Sequence, residues 1–154
     1  MLVKQQRDIL LDTYNWFEEA IPDPTSKNFH TQLGVHCEEV AEMLEEIQGK
    51  DQETRKLLAD AELAMSALAD HLKAKDGTVE IPEQNRIGFL DSLCDQVVTA
   101  TGVADLAGFD FPGAMAEVNR SNWSKFVDGK PVFNDNKKIA KGPDYKKADL
   151  EPFV

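Results

Sequence analysis

The sequence predicts an all-α fold, a helical bundle of four to five helices followed by an irregular C-terminal tail, on three observations. Apolar residues recur at helical spacing through most of the first 126 positions. Proline and glycine punctuation at Pro22, Pro24, Gly49, Gly77 and Gly108–Gly113 divides that pattern into separate stretches. The last 26 residues, from Gly129 Lys130 Pro131 onwards, are rich in Lys, Pro, Gly and Asp and have no periodicity. With 154 residues and 17.2 kDa, the chain reads as one domain, with core helices over 3–126 and a tail over 127–154. That length supports a core without disulfides. Cys37 and Cys94 lie in helical patterns without CxxC or CxxH spacing, which suggests a reducing compartment and not a disulfide framework or zinc site.

Ile9, Leu10, Thr13, Trp16, Phe17 and Ala20 define a first amphipathic helix over 3–20, stopped at Ile21 Pro22 Asp23 Pro24, with Trp16 and Phe17 read as core. Thr25–Asn28 reads as a turn, and a second helix as running from Phe29 to Gln48 with Gly49 as its C-cap. Leu57, Ala61, Ala64, Met65, Leu68 and Leu72 form the stripe of a third helix over 52–75, ended by Asp76 Gly77. Thr78–Pro82 reads as a short extended turn. The fourth helix, over 83–107, is apolar round most of its circumference and is therefore expected to be buried. A shorter fifth helix is expected over 114–125.

Net charge is −11, which argues against non-specific nucleic-acid binding. The charge is uneven: Glu38–Asp95 holds 15 acidic against 6 basic residues, while Glu117–Val154 holds 6 against 8. An acidic body with a mildly basic end suits an anionic ligand that arrives with metal ions, and equally an acidic protein with a lysine-rich end and no such ligand. No apolar run approaches the ~20 residues of a membrane span, and the first residues are too polar for a signal peptide. The expectation is a cytoplasmic protein without membrane contact.

Chemistry is concentrated in the second helix, where Glu38, Glu39, Glu42, Glu45 and Glu46 fall within nine positions. At 100° per residue Glu38, Glu42 and Glu45 share a stripe, opposite Val40, Met43, Leu44 and Ile47. No lysine or arginine interrupts them, so water or cations must screen them. The fourth helix adds Asp91 and Asp95 at i,i+4, costly on a buried helix unless paired, protonated or metal-bound. Packing the two helices together would bring Glu38, Glu39 and Glu42 towards Asp91 and Asp95. That all-oxygen set suits Mg²⁺ or Mn²⁺, and with it a diphosphate or triphosphate ligand. His30, His36 and His71 do not supply the Glu-x-x-His spacing of a di-iron bundle. Walker A, Gly-rich dinucleotide and Ser-His-Asp signatures are missing.

Glu38, Glu39 and Glu42, followed by Asp91 and Asp95, resemble the all-α nucleotide pyrophosphohydrolases, the superfamily of MazG, phosphoribosyl-ATP pyrophosphohydrolase and the dimeric dUTPases. Two later blocks, Glu117–Phe126 with Ser121 Asn122 Trp123 Ser124 Lys125, and Lys138–Tyr145 with Lys141 Gly142 Pro143 Asp144 Tyr145, resemble the ending of its MazG-like, phage-type branch. The acids of the fourth helix stand four apart, where the commoner pattern is Glu-x-x-Asp. The resemblance implies a MazG-like bundle in which Glu39, Glu42, Asp91 and Asp95 hold Mg²⁺ or Mn²⁺. Glu38 would be a further ligand or orient the attacking water, giving Glu38 and Glu39 the catalytic roles. Asn122, Lys125 and Lys141 would meet phosphates or sugar, and Tyr145 would line the nucleotide. The implied reaction is hydrolysis of a nucleoside triphosphate between the α- and β-phosphates, giving monophosphate and pyrophosphate. Its setting would be house-cleaning or a phage-type purine or guanine deoxynucleotide pathway. A dUTP- or dCTP-specific member of the same superfamily is an alternative, as is a non-catalytic acidic bundle that docks a protein. The uncovered helix faces and the resemblance together imply a homodimer or homotetramer.

Overall fold

Side-chain caps decide where the helices begin. In this computed structural model, which describes residues 8–134 and 139–154, Asp8 accepts the Leu11 amide and starts α1 (Ile9–Ala20). Positions 3–7 of the expected first helix, and Lys138 of the second tail block, lie outside the described residues. Thr25 and Asn28 form a reciprocal capping box, so α2 (Ser26–Glu45) begins inside the stretch expected to be a turn. Its C-cap is Glu46 and not Gly49. Asp51 caps α3 (Gln52–Ala74) through the Thr54 amide. A 3₁₀ turn, Glu83–Asn85, leads into α4 (Arg86–Leu106). Asp110 caps α5 (Phe111–Trp123) through the Gly113 amide, with Pro112 in the first turn, where its missing N–H costs nothing. The fold is all-α with five helices, and the tail makes only two isolated bridges, Val127–Lys130 and Phe133–Ile139, among the described residues.

The chain divides into two compact units. Asp23–Asn85 is one, an antiparallel hairpin of α2 on α3. Its seam is not the expected stripe of Val40, Met43, Leu44 and Ile47: Met43 and Ile47 are 50% and 51% exposed. The buried positions of α2 are instead His30, Gly34 and Ala41, facing Ala69 and Leu72 of α3. A Cβ on Gly34 would stand 2.8 Å from the Ala69 carbonyl oxygen and 2.8 Å from Lys73 Cγ, so glycine sets the closeness of the helices. At the open end His30 acts as a pin. Its Nε2 accepts the amides of Thr78 (3.1 Å) and Val79 (3.2 Å), leaving Nδ1 to donate to the Ser26 carbonyl at 2.9 Å, with Asp76 Oδ1 at 3.3 Å.

The other unit contains α1, α4, α5 and the tail. Asn119, buried on α5, accepts the Thr13 hydroxyl (2.9 Å) and donates to the Ile9 carbonyl (3.1 Å), so the α1–α5 seam is stitched by an amide. Trp123 Nε1 donates to Asp12 at 3.1 Å beside it. Trp16, half-buried as the first helix requires, stacks on Phe126 at 5.7 Å and meets Phe17 edge-on at 5.1 Å. Within this unit α4 packs on α5 alone. The expectation of a buried fourth helix is overturned: its one buried residue is Ala104, and Ile87 and Leu106 are 86% and 89% exposed. An all-round apolar pattern signals that cover is needed, and one chain does not have to provide it.

Candidate functional site

Glu38, Glu39 and Glu42 lie on α2, and Asp91 and Asp95 on α4, so the acids expected to form one ligand set belong to different units. On the hairpin, Glu38 is not left to water or cations. Lys73 of α3 reaches it with Nζ 2.5 Å from Oε1, and Asp70 follows at 3.5 Å. The hydrogen bond to Glu38 holds the Lys73 ammonium above the usual lysine range. Glu39 and Glu42 are both exposed, each one helical turn or less from that pair. Asp91 and Asp95 are exposed on α4, so the burial cost that marked them in the sequence does not apply in the single chain.

The donor chemistry of these acids fits a hard divalent cation. Their grouping does not complete a site by itself: among the described residues no three or more His, Cys, Asp or Glu side chains are gathered where they could hold a metal ion. Each helix offers a pair of neighbouring carboxylates, Glu39 with Glu42 and Asp91 with Asp95, and two carboxylates leave most of an octahedral Mg²⁺ shell to water and substrate oxygens.

The C-terminal candidates are brought together. Gly142 N donates to the Lys125 carbonyl at 3.1 Å, and Lys146 N to the Ser124 hydroxyl at 2.9 Å, so the second block lies along the first. An added Cβ on Gly142 would meet Val127 Cγ2 at 2.7 Å and the Lys125 carbonyl oxygen at 3.0 Å, which is why this joint requires glycine. On the resulting ledge, Lys125 donates to Asn122 Oδ1 at 2.8 Å and stands 5.7 Å from the Trp16 ring centre. Lys141 sits over the Tyr145 ring at 4.8 Å. Asn122 with Lys125 and Lys141 with Tyr145 thus form two pairs, on segments joined at Gly142, in which one ammonium group is held by an amide and the other by an aromatic face.

Behind the ledge the tail is fastened to α5. Glu117 accepts from Arg120 Nη2 (2.5 Å) and Nε (2.7 Å) and from the Asp149 amide (3.0 Å), while Arg120 donates onward to the Lys147 carbonyl at 3.2 Å. Chiefly through Arg120, and then the Asp149 amide, the Glu117 carboxyl is lowered to about 2. A recess of about 520 Å³ opens between α1 and α5, lined by Ile9, Asp12, Ala116, Asn119, Arg120 and Trp123. Sequence reasoning singled out none of Asp12, Asn119 or Arg120 as lining residues, and none of the four ledge candidates lines it. Asp12 and Asn119 are separated by over a hundred positions, and no local pattern links them.

No family model, curated protein or solved structure matches this chain.

Proposed function

We propose that the protein is a metal-dependent nucleoside triphosphate pyrophosphohydrolase, cleaving a (d)NTP between the α- and β-phosphates. The observation that supports this best is the ledge. Two lysine-bearing segments 16 residues apart are joined by the hydrogen bond from Gly142 N to the Lys125 carbonyl at a contact that leaves no room for a Cβ, one carrying Asn122 and Lys125 and the other Lys141 and Tyr145. Ammonium groups bind phosphate oxygens as point charges, and an aromatic ring offers a face to a base. The distribution of charge agrees, with acids concentrated in the helices and bases towards the end of the chain.

On this reading Glu39, Glu42, Asp91 and Asp95 would hold Mg²⁺ or Mn²⁺, and the ion when bound would neutralise phosphate charge and acidify water. Glu38 is a further ligand or orients the attacking water, which with Glu39 as ligand gives these two residues the catalytic roles. Lys73 bears on this role: its hydrogen bond to Glu38 Oε1 fixes the carboxylate and leaves the other oxygen as an acceptor for water. Lys125 and Lys141 draw the phosphates onto the ledge, Asn122 meets phosphate or sugar, and Tyr145 lines the nucleotide. A house-cleaning or phage-type purine deoxynucleotide role belongs to the same reading.

The test is a panel of NTPs and dNTPs with Mg²⁺, following monophosphate and pyrophosphate together. Equal release of both is expected from at least one nucleotide, and Glu39→Gln and Glu42→Gln should each abolish it. Release of inorganic phosphate instead, or turnover untouched by both variants, refutes the reading.

A further inference from the structure

Of the three histidines only His30 is buried, at 2% exposure on α2, while His36 and His71 are exposed. Its ring is held on both sides. Nδ1 donates to the Ser26 carbonyl at 2.9 Å and stands 3.3 Å from Asp76 Oδ1. Nε2 accepts two successive main-chain amides, Thr78 at 3.1 Å and Val79 at 3.2 Å. A ring nitrogen that accepts must keep its lone pair, so this geometry fits the neutral imidazole with its proton on Nδ1. Little else fastens the segment to which those amides belong. Among the described residues no other hydrogen bond or ion pair ties Thr78, Val79, Glu80 or Ile81 to α2 or α3. Thr78, Val79 and Glu80 are exposed, and only Ile81 of the four is half-buried.

We propose that His30 is a proton-operated latch: the neutral ring holds Thr78–Ile81 on the end of the hairpin, and the protonated ring releases it. A proton on Nε2 turns an acceptor into a donor aimed at two donors, so both bonds are lost together. The Nδ1 side does not oppose the change. Nδ1–H keeps the Ser26 carbonyl, and a carboxylate beside the ring favours the imidazolium. Asp76 supplies that charge wherever histidine titrates. The Ser26 hydroxyl at 2.7 Å, and then the Gly77 amide at 2.8 Å, hold its carboxyl below the usual carboxylate range. The other charged groups at this end are engaged elsewhere, Lys27 of α2 with the Lys73 carbonyl and the Lys73 ammonium of α3 with Glu38.

Asp76 and the two amides therefore pull the ring towards opposite protonation states. Since the closed latch requires the neutral ring, it is complete above the range in which histidine titrates and is lost as pH falls through that range. A fixed structural contact would not need a group that titrates, because an uncharged acceptor in the same place holds two amides equally well. Thr78–Ile81 lies on the stretch of chain that runs from α3 into α4. Acid thus lengthens the free part of that connection, by up to about 3.5 Å for each residue released.

The test uses the full chain. Heteronuclear NMR of the His30 ring at about pH 8 should find the proton on Nδ1 and none on Nε2. Hydrogen exchange at the Thr78 and Val79 amides is measured alongside, as protection relative to the unfolded rate at each pH. That protection should fall at least about tenfold between about pH 8 and about pH 5. His30→Gln sets an uncharged amide oxygen near the place of Nε2, so it should keep the protection and make it flat across the same range. His36→Gln and His71→Gln should leave the step as it is. A proton on Nε2 at the upper end of the range overturns the proposal, as does protection that is equal at both ends. A step that persists in His30→Gln overturns it too, by assigning the step to another group. Should the glutamine variant fail to fold, the unmodified chain decides: a His30 ring that titrates while Val79 protection stays constant refutes the latch.

Discussion

Two residues, Gly34 and Glu117, show how narrow contacts organise each unit. On Gly34 a new Cβ meets a flexible lysine stem, which can move, and the Ala69 carbonyl, which moves only with its helix. Gly34→Ala gains up to about 1 kcal/mol in helix propensity but forces overpacking that costs ~1–3 kcal/mol. Net destabilisation is expected, read as a lower urea midpoint with unchanged slope. For Glu117 the sign follows from its lowered carboxyl. A depressed folded value means that the Glu117 contribution is complete above the ordinary carboxyl value of 4.5 and is lost as pH falls through about 2. The tail segment around Lys147–Asp149 should therefore stay docked on α5 at pH 4 and loosen only towards pH 2. Exchange of the Asp149 amide against pH measures this, and Glu117→Gln should remove the acid-dependent step.

Elements show what the sequence made legible. All five helices could be read from apolar period and from their stops, because period survives whatever the helix packs against. The starts of α2 and α5 were missed by about three residues, since they depend on Thr25 with Asn28 and on Asp110 bonding particular amides. The seam of α2 was misread for a different reason: its large apolar side chains suggested one face, and the close approach made by His30, Gly34 and Ala41 required another. For the candidate site, the two tail blocks could be recognised as blocks, but only the fold joins Gly142 to Lys125. Truncation after Phe126 tests what that joint is for. It should leave far-UV helicity largely intact, because all five helices precede it, and raise KM or abolish turnover. The exposure of Asp95 sharpens a second test. With no buried charge to relieve, Asp95→Asn should shift apo stability by less than ~0.5 kcal/mol. As a metal ligand its loss should lower kcat by about 10²-fold or more, equivalent to ~2.7 kcal/mol, and should shrink the rise in melting temperature that Mn²⁺ produces.

At the scale of the whole molecule the governing fact is unburied apolar surface. No helix among the described residues is long and apolar enough to cross a membrane, so α4 does not find its cover by spanning one. A 21-residue helix with its aliphatic side chains in water contributes little to stability alone, because most helical stability comes from packing an apolar face. If a second copy provides that packing, folding and association are one equilibrium, and stability becomes a function of concentration. Two folded chains then unfold together, with an entropy of about 2.1 cal/mol/K per residue near 60 °C. A tenfold dilution removes ~1.4 kcal/mol from the dimer. Dividing this by the unfolding entropy of two such chains gives a fall of about 2 °C per tenfold dilution. Melts followed by circular dichroism over a hundredfold range should therefore spread by about 4 °C, each with a single transition. Leu90→Asp with Val97→Asp should lower the melting temperature and abolish its dependence on concentration. Curves that superimpose across that range in the unmodified protein would mean that α4 is stable without a second copy.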